Sequence, residues 1–178
     1  NTESGDDPAS VINVDVSFSY PKAAVYGSDE LSSGGYTTDA FTGGTASASS
    51  IVSGYPASNA FDDGLTSYWS SDYPDNNIWL KYDLGSGNDV VLRQAEFYTQ
   101  SGSPPAHALK GFTLQGSNND SDWDALTTDQ VPNVRDTWHS FPFSNSTSYR
   151  YYRIYNCTAW SGYEIVQLTE MRGGIFVT

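Results

Sequence analysis

Short stretches in which apolar and polar residues alternate recur along this chain of 178 residues. The pattern is clearest in Val11 to Tyr20, where Ile12, Val14, Val16, Phe18 and Tyr20 point one way. Alternation with a period of two is typical of β-strands that have one buried face. No amphipathic helical stretch is evident between these segments, and the strands are short and closely spaced. The sequence therefore predicts an all-β fold of the sandwich or jelly-roll type.

Further strands are predicted in segments that alternate or are apolar and that end at Gly, Pro or polar residues. They are residues 78–85, 90–100, 109–116, 138–143, 150–155, 165–171 and 175–177. The side chains expected to face the core are Leu80, Tyr82, Leu84, Phe112, Leu114, Tyr152 and Ile154. Residues 27–50 are rich in Gly, Ser and Thr and show no alternation, which predicts a loop or linker.

Charge and cysteine content exclude several classes of partner and of bond. Eight Lys and Arg residues stand against 21 Asp and Glu residues, a net charge of -13. Nucleic acid and anionic membranes both require a cationic surface, so a neutral or cationic partner is expected. The single Cys157 excludes an intrachain disulfide. The sequence has neither an initiator Met nor a charged-then-apolar leader, so we expect a processed product or a fragment.

One loop, Asn59 to Trp69, has neither a helical nor a strand period. It contains Asp62, Asp63, Gly64, Thr66 and Ser67. Carboxylate, hydroxyl and carbonyl oxygens are the ligands of a hard cation such as calcium, and Gly permits the sharp turn that such a loop needs. Asp and Gly are also ordinary turn residues, so a surface turn is the alternative interpretation.

Five segments, in this order, resemble the discoidin group, also called the coagulation factor V/VIII C-type domain. They read SNAFDDGLTSYW, IWLKYDLG, LKGFTLQGSNNDSDW, SYRYYRIY and LTEM, and within the group they are most similar to the family 32 carbohydrate-binding modules. The resemblance implies a galactose-binding-like jelly-roll β-sandwich over residues 46–178. Residues 1–45 are then an N-terminal extension of one strand and a linker.

The resemblance also implies a structural calcium ion where the first long loop meets the penultimate segment. The ligands carried over are the Asn59, Gly64 and Thr169 carbonyls, the Asp62 and Glu170 carboxylates, and the Ser67 hydroxyl and carbonyl. The Gly is displaced by one position from the usual family pattern, so Asp63 is a rival ligand. A metal-free loop held by hydrogen bonds is the alternative.

In sugar-binding members of the group, the site lies on loops at one end of the sandwich. Here three loops are candidates, and they supply Tyr73, Asp75, Asn76, His107, Asn156, Trp160 and Tyr163. A stacking aromatic covers the apolar face of a sugar while polar side chains bind its rim. Trp160 is the first choice for the aromatic, and its alternative is a lid folded back over the core.

These features predict a non-catalytic, calcium-stabilised carbohydrate-binding module of a secreted, cell-surface or virion protein, with a glycan or polysaccharide as partner. No catalytic motif stands in the sequence, and neighbouring Asp residues rarely converge on one substrate bond. The alternative is a structural assembly, decoration or adhesin module, in which strand Val11 to Tyr20 pairs with another protein subunit.

Overall fold

The computed structural model describes residues 36–74, 77–99 and 107–176. These residues form strands and one short 3-10 turn, Ala57–Ala60. The strands are β1 Tyr36–Asp39, β2 Thr45–Ala48, β3 Trp69–Ser70, β4 Leu80–Asp83, β5 Leu92–Thr99, β6 Gly111–Ser117, β7 Asp124–Gln130, β8 Thr137–Pro142, β9 Tyr151–Tyr155, β10 Gln167–Leu168 and β11 Glu170–Phe176.

Two antiparallel sheets face each other across the core. One has the strand order β1-β11-β5-β8, the other has the order β2-β4-β9-β6-β7, and β3 pairs separately with β10. Side chains from both sheets fill the space between them, among them Phe97 and Phe112, whose rings meet edge to face at 4.7 Å. The described residues therefore form an all-β sandwich, as the sequence predicts, and the alternation places one face of each strand in the core.

The expected inward positions are confirmed. Leu80, Leu114, Tyr152 and Ile154 are fully buried, and the other predicted core positions are at most 5% exposed. The Tyr152 hydroxyl donates to the Val90 carbonyl at 2.6 Å, so even the polar atom of this core ring has a partner. Strand β7 has no matching prediction, because its residues are mostly exposed and do not alternate clearly.

The prediction that residues 27–50 form a loop or linker is wrong for two segments. Strand β1 pairs with β11, and β2 pairs with β4, so both lie at sheet edges. An edge strand needs backbone hydrogen bonds on one side only, which explains why small and polar residues suffice there. Phe41, between them, is buried at 2% exposure and meets the Phe61 ring at 5.6 Å.

A ladder of aromatic and cationic side chains covers the outer face of the five-stranded sheet. The Arg153 guanidinium lies 3.9 Å from the Trp123 ring centroid and 4.5 Å from that of Tyr155. Lys81 and Arg150 lie over Tyr151 at 5.8 and 4.7 Å. Tyr151, Arg153 and Tyr155 therefore belong to a surface ladder that cation–π contacts hold together.

No helix among the described residues is long and apolar enough to cross a membrane. The strand predicted at Val11 to Tyr20 lies outside the described residues, so its pairing stays a prediction.

Candidate functional site

The loop Asn59 to Trp69, which we call the acidic loop, is attached to the sandwich at both ends. Ala57 and Ala60 of the 3-10 turn are buried on its near side. Trp69, on its far side, is fully buried and donates its indole N–H to the Ser50 carbonyl at 3.1 Å. The Asn59 amide bridges the two ends by donating to the Tyr68 carbonyl at 3.1 Å. Phe61 also packs against the core, with its ring 5.6 Å from that of Phe41, so Phe61 and Trp69 fix the loop to the sandwich.

Asp62 organises the turn itself. Its two carboxylate oxygens accept hydrogen bonds from the Gly64 N–H and the Ser67 hydroxyl, both at 2.7 Å. A Cβ added at Gly64 would lie 2.6 Å from Asp62 Oδ1 and 2.7 Å from Ser67 Oγ. Both atoms are at the ends of side chains, so a larger residue at Gly64 would displace the two oxygens that hold this turn. The positive φ of 57° lies at the neighbouring Asp63.

Pairing of β3 with β10 brings the distant end of the chain to this loop. Trp69 stands opposite Leu168, so Thr169 and Glu170 follow directly beside the acidic loop. Glu170 is 0% exposed, and neither of its carboxylate oxygens has a hydrogen-bond partner among the described residues. Burial, reinforced by the charges of Asp62 and Asp63, raises the pKa of Glu170 to about 8.

The arrangement fits a bound cation, because a buried carboxylate without partners requires either a proton or a positive charge. The charge of Arg172 lowers the pKa of Glu170 only in part, because Arg172 makes no hydrogen bond to that carboxylate and pairs with Asp63 at 3.4 Å. No three His, Cys, Asp or Glu side chains cluster closely enough to hold a metal in the described ranges. The predicted cage needs only two carboxylates, from Asp62 and Glu170, because carbonyl and hydroxyl oxygens complete it.

A second site, which we call the loop-end cavity, lies where the chain leaves β9. It has a volume of about 230 Å³. It is lined by Ile78, Asn156, Cys157, Thr158, Ala159, Gly162, Tyr163 and Glu164. Ser71 fixes the neighbouring loop, since its N–H donates to the Val166 carbonyl at 2.9 Å and its hydroxyl accepts from the Val166 N–H at 2.8 Å.

Three of the predicted sugar-binding residues lie in or beside this cavity, since Asn156 and Tyr163 line it and His107 contacts Tyr163. Asn156 is exposed and holds a left-handed φ of 53°. Tyr163 is 64% exposed, and its ring lies 5.7 Å from that of His107. Tyr73, 62% exposed, belongs to the loop that Ser71 fixes. Glu164, a polar loop residue without any periodic signal, was missed by sequence reasoning.

Trp160 faces a different environment from Tyr163. Its indole N–H donates to the Val131 carbonyl at 3.2 Å, and Lys110 Nζ lies 4.9 Å from the ring centroid. The half-buried ring does not line the loop-end cavity. Its role as the stacking aromatic stays a prediction, whereas Tyr163 presents an open ring at the cavity itself. Asp75 and Asn76 lie outside the described residues.

Fold and site together define a β-sandwich with a loop-end cavity and an acidic corner, which is formed by Asp62, Asp63 and the buried Glu170. The chain belongs to the F5/8 type C domain family, whose model matches residues 45–171, more than two thirds of the chain. No curated protein matches the chain.

Solved structures with the same fold include carbohydrate-binding modules. The family 32 module of NanJ from C. perfringens, solved with galactose, is 17% identical over 79% of this chain and 99% of its own, with a TM-score of 0.66. Chitosan-binding module 1 of a Paenibacillus sp. IK-5 chitosanase/glucanase is 23% identical over 77% and 98%, with a TM-score of 0.63. The lectin binding domain of Lectinolysin, as a His 62 mutant with Lewis b, is 20% identical over 79% and 98%, at 0.66.

Proposed function

We propose that this protein is a non-catalytic carbohydrate-binding module that binds neutral or amino-sugar glycans at the loop-end cavity. The observation that carries the proposal is the open Tyr163 ring beside Asn156 and Glu164 in one cavity. A sugar ring stacks its apolar C–H face on an aromatic side chain, while amide and carboxylate groups bind its hydroxyl rim. The galactose and chitosan named for two structural neighbours support the same class of ligand.

The negative charge of the cavity and of the chain should favour neutral and amino-sugar glycans over anionic ones. The cavity lining contains Glu164 and neither Lys nor Arg, and the whole chain carries a net charge of -13. A uronate or sulfated chain would meet this negative field, whereas an amino sugar would place its ammonium group beside a carboxylate. Such a module would act where glycans are presented, in a secreted, cell-surface or virion protein.

Calorimetric titration tests the proposal directly. The panel is galactose, N-acetylgalactosamine, a glucosamine tetramer, its N-acetylated counterpart and an alginate tetramer as the anionic comparator. We expect Tyr163→Ala to weaken binding about tenfold, which corresponds to roughly 1.4 kcal/mol of lost stacking. Tyr55→Ala removes a tyrosine that is 36% exposed and does not line the cavity, and it serves as the matched control.

Replacement of Glu164 tests whether its negative charge selects amino sugars. Glu164→Gln should weaken binding of the glucosamine tetramer and leave binding of the N-acetylated tetramer unchanged, because only the former carries ammonium groups. Failure of every glycan in the panel to bind the wild-type protein would overturn the proposed function. Preferential binding of the alginate tetramer would overturn the choice of ligand class.

We also propose that the acidic corner holds a structural calcium ion. Asp62 and Glu170 would supply the two carboxylates, and the carbonyls of Asn59, Gly64 and Thr169 with Ser67 would complete an oxygen cage. The two buried, partnerless oxygens of Glu170 support this assignment. Asp63 pairs with Arg172 at 3.4 Å, which favours Asp62 as the ligand of the pair. The ion would supply positive charge and cross-link the loop to Glu170.

A further inference from the structure

A second concave surface lies on the outer face of the five-stranded sheet, over Gly111. Its volume is about 430 Å³. It is lined by Gly111, Phe112, Thr113, Thr128, Asp129, Gln130, Asn156 and Thr158. We call it the sheet-face groove. The glycine makes room for it, because a Cβ added at Gly111 would lie 2.7 Å from Thr158 Oγ1.

A break in the hydrogen-bond ladder between β6 and β9 shapes this groove. Regular pairing stops at Thr113 and Tyr155 and resumes at Thr158, whose N–H donates to the Gly111 carbonyl at 3.0 Å and whose carbonyl accepts from the Lys110 N–H at 2.7 Å. A bridge between Leu109 and Ala159 follows. Within the break, the Cys157 N–H donates to the Ile78 carbonyl at 3.0 Å and not to strand β6. The Gly111 N–H donates instead to the Thr158 hydroxyl at 3.0 Å.

The break leaves polar groups facing outward. Asn156 takes up its left-handed conformation at this point, and Asn156 and Thr158 are both exposed. Leu109 and Phe112, three residues apart, are both buried, so the strict alternation of β6 is interrupted here. Lys110 and Gly111, which lie between them, and the exposed Asn156 and Thr158 on the neighbouring segment can therefore contribute to the outer surface.

The groove carries groups of the kind that bind sugar hydroxyls. The Thr113 and Thr128 hydroxyls lie 3.0 Å apart on its floor, and Gln130 and Asn156 add amides that can both donate and accept. Tyr155 stands opposite Thr113 on the same outer face, so an aromatic ring lies alongside. The lining includes one carboxylate, Asp129, and no Lys or Arg, which disfavours an anionic ligand.

We infer that the sheet-face groove is a second sugar subsite, continuous with the loop-end cavity, and that the module binds an extended neutral or amino-sugar oligosaccharide across both. Asn156 and Thr158 line both concavities, so a chain leaving the cavity passes directly onto the sheet face. The inference rests on the proposed function of the loop-end cavity. It adds a preference for chain length that a single-sugar site does not have.

The test compares ligands of one to four units. Glucosamine and N-acetylglucosamine oligomers of each length are titrated calorimetrically into the wild-type protein and into a double variant, Thr128→Val with Gln130→Ala. Both residues are exposed on the edge strand β7, so the fold tolerates their replacement. Thr45→Val, which replaces an exposed threonine at the opposite edge of the same sheet, is the matched control.

We expect wild-type affinity to rise with chain length. The double variant should bind the tetramers about tenfold more weakly and the monosaccharides unchanged, because about two hydrogen bonds of ordinary strength are lost only with the longer ligand. Thr45→Val should match the wild type at every length. Circular dichroism and thermal melts of the three proteins establish that the comparison is made between folded molecules.

The outcomes separate the two proposals. If Tyr163→Ala weakens tetramer binding while the double variant binds like the wild type, the second subsite is wrong and the proposed function stands. Affinities that do not increase from one unit to four also overturn the subsite. If the wild-type protein binds none of these oligomers and none of the earlier panel, both proposals are overturned.

Discussion

Replacing Glu170 by Gln should separate two effects that the buried carboxylate has on stability. In the metal-free protein, the pKa of Glu170 is raised from 4.5 to about 8, first by burial and then by the charges of Asp62 and Asp63. Between these two pH values the folded state holds a proton that the unfolded state has lost. The stability of the metal-free protein therefore falls as the pH rises from about 4.5 to about 8.

The size of this loss of stability follows from how far the pKa of Glu170 is raised. A displacement of about 3.5 pH units at about 1.4 kcal/mol per unit gives an upper limit of about 5 kcal/mol for the loss at pH 8 and above. A calcium ion reverses the balance, because it replaces the proton on Glu170 and favours the charged carboxylate. At a free calcium concentration of about 100 times the dissociation constant, it adds roughly 2.7 kcal/mol.

Thermal melts between pH 5 and pH 8, with calcium or with a chelator, measure both effects. The wild type should lose stability with rising pH in chelator and regain it with calcium at pH 8. Glu170→Gln should lose the calcium response and the part of the pH dependence that Glu170 causes, since an amide does not titrate and binds calcium weakly. Burial also raises the pKa of Asp39 and Glu96, but these groups remain in the variant, so the difference between the two proteins isolates Glu170.

Asp89→Asn is the matched control, because it removes one exposed carboxylate that has no place in the acidic corner. It should retain the pH dependence and the calcium response of the wild type. Wild-type melting curves that are the same in calcium and in chelator at pH 8 would refute the metal site. Equal pH dependence of the wild type and Glu170→Gln would refute the assignment of the buried proton.

Three further predictions concern the core and the sheet. Tyr152→Phe leaves the Leu92 N–H without its hydroxyl acceptor, so we expect a loss of about 1–3 kcal/mol in chemical denaturation, whereas Tyr155→Phe on the outer face should be nearly neutral. Gly116→Ala places a Cβ 2.6 Å from Tyr149 Cγ, and because the ring is buried we expect a loss of about 1–3 kcal/mol in the same assay. Cys157, 6% exposed, should resist a thiol reagent in the native protein and react at once in denaturant.

The sequence predicts the strands that bury a regular apolar face. Leu80 and Tyr82, or Tyr152 and Ile154, alternate with polar residues, and burial of one face requires that pattern. Strands β1, β2 and β7 lie at sheet edges, where a backbone ladder forms without a continuous apolar face. Their residues carry no period that sequence reasoning can detect, which is why the first two were predicted as linker and the third was overlooked.

The acidic corner and the sugar residues were predictable to different degrees. Asp62, Ser67 and Glu170 were predicted as ligands through the family resemblance, because their residue types alone also fit an ordinary turn. The structure brings the acidic loop and Glu170 to one corner through the pairing of Trp69 with Leu168. The sheet-face groove had no such signal. It depends on a break in the hydrogen-bond ladder beside Gly111, and a glycine in the sequence does not by itself indicate such a break.

Strand β3 connects the acidic loop to the loop-end cavity, although the two sites share no residue. Trp69, at its start, closes the acidic loop, and Ser70 at its end stands opposite Gln167. The next residue, Ser71, is bonded to Val166, which follows the loop that carries Tyr163 and Glu164. A displacement of the acidic loop would therefore reach the loop-end cavity through a buried path of a few residues. In the proposed function the ion would have a structural role, and recognition would belong to the open aromatic and amide groups at the end and face of the sandwich.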